Sequence, residues 1–294
     1  MATANGKYES QLAQHNPPQV GLPHWQPIPP LMCRLVRYHW VMKVVILAGG
    51  LGTRMREETA FRPKPMVEVG GKPILWHIMK VFAAYGHTDF IVCTGYKAEM
   101  IRDYFYNFGP KNLDFTIRLG DQSSAAFHGS HDEFSWTVTV VDTGFDTPTG
   151  GRISRVEEHL NGEPFFCTYG DGLAPVNLDE LLASHERIAT MTVTRPVSRF
   201  GVVDVAADRS VKAFSEKPTI DSFVNMGYFV FEPEIFRYLQ DDSVLEEAPL
   251  RILTREEKLG AYVHDGFWQP MDTYRESLIF NGLWEAGNAP WKIW

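Results

Sequence analysis

Residues Val45–Arg54 read VILAGGLGTR, an apolar run that ends in three glycines, a threonine and an arginine. The run Lys43–Ala48 is of strand length and, after its opening lysine, continuously apolar, which marks a strand buried on both faces of its sheet. Gly49, Gly50 and Gly52 then leave the loop nearly bare of side chains. Bare main chain can approach a ligand closely, and successive N–H groups can form a concave anion site. In open α/β sheets ligands bind beyond the carboxyl ends of the strands, where this loop falls.

The pattern on either side supports that setting. Ile74, Ile78, Val81, Phe82 and Tyr85 recur at helical spacing after Pro73, and Gly86 suits the helix stop. Strand-like runs follow at 89–95, 114–119, 136–144 and 164–172, separated by helical stretches at 98–108, 150–160 and 178–188. That alternation predicts an α/β fold, a mostly parallel sheet covered on both faces. Beyond about residue 190 the short runs MTVTRP, GVVDV, VKAFS and NMGYFVF predict a small, partly antiparallel addition. Helices are expected at 233–240 and 272–286. The polar stretch 119–135 reads as a mobile loop.

Residues 1–41 differ, with proline-rich segments such as LPHWQPIPP and no sustained period. They read as an irregular N-terminal extension to a domain spanning 42–294. A misassigned translation start, an added segment and an interface arm all remain open for them. The net charge of −8 argues against a nucleic-acid partner. No run approaches the ~18 apolar residues that a membrane helix needs. Cys33, Cys93 and Cys167 are too few and scattered for a disulfide framework, and a cytoplasmic setting is expected.

Two common phosphate loops do not fit. A dinucleotide loop, G-x-G-x-x-G, would need glycine at Met55, and a Walker loop fails because Gly71-Lys72 is followed by Pro73. Thr53, Arg54 and Lys64 give the glycine loop a different character. Arg54 offers a planar fork for outer phosphates, and Lys64 a point charge held between Pro63 and Pro65.

With LAGGLGTR and PKPMVEVGGKPILWHI, the chain resembles the sugar-1-phosphate nucleotidyltransferases. The stretches DTGFDTPTGGRISRV, YGDGL, FWQPMDT and APWK extend the resemblance over about residues 42–294 and favour the cytidylyl branch. The resemblance implies a Rossmann-like, GT-A-like nucleotidyltransferase fold. It implies transfer of a cytidylyl group from CTP to glucose 1-phosphate, giving CDP-glucose and pyrophosphate for cell-surface polysaccharide. UTP or dTTP is the alternative within the class; a non-catalytic nucleotide-sugar-binding regulator is the alternative outside it.

Carried to individual positions, the resemblance gives Leu47, Ala48, Gly49, Gly50, Leu51, Gly52, Thr53 and Arg54 to the nucleotide and its phosphates. It gives Lys64 to phosphate, and Thr147, Arg152 and Gly170 to the nucleotide pocket. Lys217 in FSEKP falls to the sugar phosphate, and Asp171 and Asp272 to Mg²⁺. Arg54, Lys64, Asp171 and Asp272 form the expected catalytic set, and a homo-oligomer is implied.

The residues themselves bear on some of these roles. Asp171-Gly172 could form a hairpin turn, but the chain then leads into a helix, which favours ligand work. Thr273 and Glu276 already make a capping box, which frees Asp272 for a metal. Arg152, near a helix start, serves either an incoming anion or a surface ion pair with Glu157 or Asp146. His77 lies in an apolar helical stripe and reads as a core residue. The tail aromatics Phe280, Trp284, Trp291 and Trp294 are an oligomer contact if exposed and core if buried.

Overall fold

Lys43–Leu47 forms β1, and its side chains divide strictly between two cores. Val44 and Ile46 join one apolar cluster, Val45 and Leu47 the other. Alternate residues of a strand face opposite sides of the sheet, so an uninterrupted apolar run requires cover on both. Full burial of each such side chain contributes roughly 1.5–3 kcal/mol. The computed structural model describes residues 41–294, so the reading of the first 41 residues falls, Val41 apart, outside them.

In chain order the strands are β1, β2 (Glu68–Val69), β3 (Lys72–Pro73), β4 (Asp89–Thr94), β5 (Asp114–Arg118), β6 (Asp121–His128), β7 (Thr137–Asp142) and β8 (Phe165–Tyr169). They continue with β9 (Gly172–Leu173), β10 (Ala189–Thr194), β11 (Val202–Val205), β12 (Val211–Ser215), β13 (Val224–Phe231), β14 (Leu259–Val263) and β15 (Gln269–Pro270). The helices are α1 (Arg56–Thr59), α2 (Ile74–Ala83), α3 (Ala98–Tyr106), α4 (Phe108–Asn112), α5 (Thr149–Ser154), α6 (Leu178–Ala183), α7 (Ala248–Arg255) and α8 (Tyr274–Glu285).

Seven strands form the central sheet in the order β14-β10-β13-β8-β1-β4-β7. All neighbours run parallel except β13, which is antiparallel to both β8 and β10. The expected mixed, mostly parallel sheet with flanking helices is what forms, and the pair β11–β12 is a small antiparallel addition. From β1 the chain steps outward to β4 and β7, then returns to β8 on the other side of β1. The order therefore reverses between β1 and β8, and a crevice opens beyond their carboxyl ends.

The stretch 119–135 departs from expectation. It is not simply a mobile loop, because Asp121–His128 is β6, paired antiparallel with β5 across a turn at Leu119-Gly120. Phe115 and Phe127 face each other across the pair, and Asp121 Oδ1 accepts from both the N–H and the hydroxyl of Ser123. Side-chain hydrogen bonds and one aromatic pair replace the apolar alternation that normally announces a strand. The helix expected at 150–160 breaks after Ser154 and resumes as a 3₁₀ turn, Glu157–His159. The helix expected at 178–188 ends at Ala183, where the chain turns toward β10. The segment Pro233–Tyr238 is 3₁₀ rather than α.

The aromatic tail is core. Phe280 and Trp291 are fully buried, and Trp284 and Trp294 pack against the same cluster. His77 sits inside that cluster, with Nε2 on the Val69 carbonyl at 2.8 Å and Nδ1 accepting from Trp291 Nε1 at 3.3 Å. Cys93 and Cys167 are buried, and burial pushes the Cys93 thiol up to about 12. No helix among the described residues is long and apolar enough to cross a membrane.

Candidate active site

A cavity of about 360 Å³ fills the crevice between β1 and β8. Leu47, Gly49, Gly50, Gly52, Thr53, Arg54, Lys64, Thr147, Arg152, Gly170 and Asp171 line it, together with Pro65, Pro148, Thr149 and Tyr169. A larger cavity of about 760 Å³ lies between β7 and the α3–α4 corner, lined by aromatic side chains such as Phe105, Phe108 and Trp136. It carries two acids, Asp103 and Glu133, but lacks the glycine loop; in the smaller one Lys64 and Asp171 line the wall and Lys64 reaches Asp272 behind it, so the candidate site is placed there.

Each glycine of the loop has its own reason. Gly52 has φ 60°, and a Cβ there would lie 2.7 Å from the Thr59 methyl. Thr59 Oγ1 in turn bonds the Gly52 carbonyl at 3.1 Å, which clamps the turn onto α1. A Cβ on Gly49 would strike the Arg152 guanidinium at 2.0 Å, whereas one on Gly50 would meet nothing within 4 Å. Gly50, Leu51 and Gly52 donate their N–H groups to no main-chain acceptor among the described residues. Ala48 is different: it is buried, and its N–H is spent on the Cys93 carbonyl. Neither Ala48 nor Leu51 lines the cavity.

Gly170 closes the other wall. Its N–H bonds the Leu47 carbonyl at 3.0 Å, and a Cβ would sit 2.8 Å from that oxygen. Glycine is needed there because the β1 and β8 exits pass so close together.

The acids meet around one lysine. Lys64 lies on the 3₁₀ turn Lys64–Met66, is 7% exposed, and places Nζ 2.7 Å from Asp171 Oδ2 and 2.9 Å from Asp272 Oδ1. Arg54 reaches in from solvent to Asp272 Oδ2 at 2.8 Å. Asp171 leaves the end of β8 and Asp272 precedes α8; the β9–β15 ladder sets them side by side. The capping box of Thr273 and Glu276 forms as expected, so the Asp272 carboxylate is not consumed by the helix.

Two hard carboxylates converging on one small volume suit Mg²⁺, which keeps water and substrate oxygens in its shell. No cluster of three or more His, Cys, Asp or Glu side chains capable of holding a metal occurs among the described residues, so the protein's share would be these two acids.

Arg152 lines the cavity, but the surface ion pair expected as its alternative role does not form. It is buried, and it forms no ion pair with Glu157 or Asp146. Its NH1 bonds the Thr94 and Gly144 carbonyls and Thr143 Oγ1, and its NH2 bonds the Gly49 and Phe145 carbonyls. The guanidinium thus staples the glycine loop to the β4 and β7 exits from below. Burial lowers its pKa from the usual arginine value.

Lys217 stands apart from the cavity lining, on the loop after β12, with Glu216 as its ion-pair neighbour at 3.8 Å. Three groups were not anticipated. Arg199 NH2 lies 3.0 Å from Glu276 Oε1 and 3.7 Å from Asp272 Oδ2. Tyr169 lines the cavity and donates to Glu246, whose other oxygen takes the Thr149 hydroxyl at 2.7 Å. Burial, then the Glu246 charge, raises the Tyr169 pKa, so the phenol stays a neutral donor. Nothing local marks these residues; their partners lie far away in the chain.

Comparison with known proteins follows the same line. The nucleotidyl transferase family model matches residues 43–273. The glucose-1-phosphate cytidylyltransferase of Salmonella typhimurium is 46% identical over 259 residues, covering 86% of this chain and 100% of the relative. A protein of Bacillus subtilis described as a probable glucose-1-phosphate cytidylyltransferase is 42% identical over 258 residues, with 86% and 100% covered. Among solved structures, HddC from Yersinia pseudotuberculosis matches with a TM-score of 0.60 at 22% identity, covering 83% of this chain and 99% of that one. That last likeness concerns the fold.

Proposed function

The chain belongs to the nucleotidyl transferase family, in company with the glucose-1-phosphate cytidylyltransferases, and from that premise we propose that it makes CDP-glucose. A phosphate oxygen of glucose 1-phosphate attacks the α-phosphorus of CTP. The new P–O bond forms as the bond to the β-phosphate oxygen breaks, and pyrophosphate leaves with that electron pair. The nucleophile is already ionised at neutral pH, so the site needs no general base, and the protein supplies position and charge.

The observation that carries this reading is Lys64 held against both Asp171 and Asp272 at the glycine-lined crevice. The unspent N–H groups of Gly50 and Gly52, which line the cavity, suit the triphosphate, and Arg54 extends the positive field to the departing pyrophosphate. Lys64 and Lys217 offset repulsion between two anionic substrates. Mg²⁺, held by Asp171 and Asp272, supplies Lewis-acid stabilisation of charge at the phosphoryl oxygens when bound. Arg152 keeps the loop in shape from beneath. A homo-oligomer is the expected assembly.

The test is pyrophosphate release with Mg²⁺, glucose 1-phosphate and each nucleoside triphosphate in turn. Release with CTP is expected. Release only with UTP or dTTP would move the base assignment, and release with none would leave a binding protein.

A further inference from the structure

We propose that Arg199 is a positioning residue: its ion pair with Glu276 anchors the β11–β12 hairpin at its base and so delivers Lys217 to the sugar-phosphate side of the site. The inference rests on the functional reading above, which gives Lys217 that task.

The hairpin has little else to fix it. β11 and β12 pair only with each other among the described residues, and every residue of both strands is exposed. No buried face therefore sets its direction. At its base, Val197 bridges Thr219, the Ser198 N–H bonds the Pro218 carbonyl at 2.8 Å, and the Ile220 N–H bonds the Pro196 carbonyl at 2.9 Å. Arg199 follows Ser198 and Lys217 precedes Pro218, so each lies one residue beyond the Ser198–Pro218 rung. Above them the register slips by one residue: Val202 pairs with Ser215, and a Cβ on Gly201 would lie 3.1 Å from Glu216 Oε2.

Arg199 is the link from this base to the catalytic acids. Its partner Glu276 is 8% exposed and uses Oε2 on the N–H groups of Asp272 and Thr273, at 2.8 and 2.6 Å. Oε1 faces Arg199 at 3.0 Å. One glutamate thus holds the main chain at Asp272 with one oxygen and the hairpin with the other. Asp272 itself lies farther from Arg199, at 3.7 Å, and keeps Arg54 and Lys64 as its close partners.

Lys217 has an unusual backbone, shared among the described non-glycine residues with Lys97, Asn161, Arg209 and Glu257. Its φ is 48°, left-handed for a residue with a side chain, and it directly precedes Pro218. Such strain persists where the surroundings over-determine it and concentrates at ligand sites. The Arg199 side chain is half exposed, and ion pairs of that kind add little to stability. What the pair adds is a fixed location for the lysine across the hairpin.

The experiment measures KM for glucose 1-phosphate and for CTP separately in Arg199→Ala, Arg199→Lys, Lys217→Ala and the Arg199→Ala/Lys217→Ala pair. Arg199→Ala should raise KM for glucose 1-phosphate roughly tenfold with KM for CTP little changed, and Arg199→Lys should recover most of it. In the Lys217→Ala background, Arg199→Ala should add nothing, because the two act as one unit. Multiplicative losses, or equal rises for both substrates, would overturn the proposal. Limited trypsin digestion reads the anchor without catalysis: cleavage after Arg209 or Lys212 should be faster in Arg199→Ala than in wild type, and equal rates would also overturn it. Wild-type protein that forms no product with any nucleotide would sink the functional reading alone.

Discussion

Met271 donates its N–H to the Asp171 carbonyl at 2.8 Å, the third rung of a ladder begun by Gln269 with Leu173 and Pro270 with Gly172. The two acids of the site are thereby fixed by main chain before any ligand arrives. The exit of β8 supplies one and the approach to α8 the other, so neither depends on a mobile loop. Lys64 then bridges the pair with one positive charge, and Arg54 adds a second at Asp272.

The first prediction follows from that shared lysine. Asp171→Asn or Asp272→Asn should lower kcat by roughly a hundredfold or more, the usual cost of removing a group that stabilises transition-state charge. Neither change leaves Lys64 unpaired, since one aspartate always remains within 3 Å. The melting temperature should therefore stay within a few degrees of wild type, as circular dichroism would report. Near-normal turnover in either variant would remove that aspartate from the site.

The neighbouring glycines make a matched pair for a second prediction. Gly49→Ala drives a methyl into the Arg152 guanidinium at 2.0 Å, so stability should fall by about 1–3 kcal/mol as in other overpacked sites. Gly50→Ala meets no atom within 4 Å and needs no special φ, so the fold should be unchanged within about 0.5 kcal/mol. If triphosphate lies against this main chain, Gly50→Ala should nonetheless raise KM for CTP severalfold. Normal KM in that variant would take Gly50 out of the binding surface.

Much of this arrangement was legible in the order of residues. β1 and its loop were readable because apolar length, glycine and arginine all fall within ten positions. The capping box exposed the freedom of Asp272 for the same reason: its parts are local. β5 was readable at 114–119, but its partner β6 was hidden because serines and alanines stand where alternating apolar residues would signal a strand. Arg152 could not be oriented because its acceptors come from the exits of three different strands. α7 escaped notice, as did β14, a partly exposed edge strand of the central sheet.

Arg152 gives a third prediction. Arg152→Lys keeps the charge but loses the fork that serves five oxygens. Leaving several buried acceptors without a donor should cost about 3 kcal/mol or more. At roughly 2–4 °C per kcal/mol, that is a fall in Tm of about 6–12 °C. Calorimetry would show it, and an unchanged Tm together with a raised KM for CTP would instead mean that the guanidinium meets the nucleotide directly.

Two buried histidines, His77 and His87, make the fold less stable in acid. Burial lowers the pKa of His77 to about 4, against a smaller raising effect of its bond to Val69. His87 is likewise lowered to about 4 by burial, and its Nδ1 accepts the Met42 N–H at 3.1 Å. In the unfolded chain both titrate near 6.5. Between those values the unfolded state binds more protons, so stability is whole above about pH 7 and is lost as pH falls toward 4. Linkage gives about 2 kcal/mol per histidine between pH 7 and 5. Protonation of His77 also sets an N–H against the Trp291 indole N–H, where now Nδ1 accepts. Urea unfolding at pH 7 and 5 should show a combined loss of roughly 4 kcal/mol, and His77→Gln should shrink it by about half. A wild-type stability that is flat across that interval would mean that both rings already carry their protons in the folded protein.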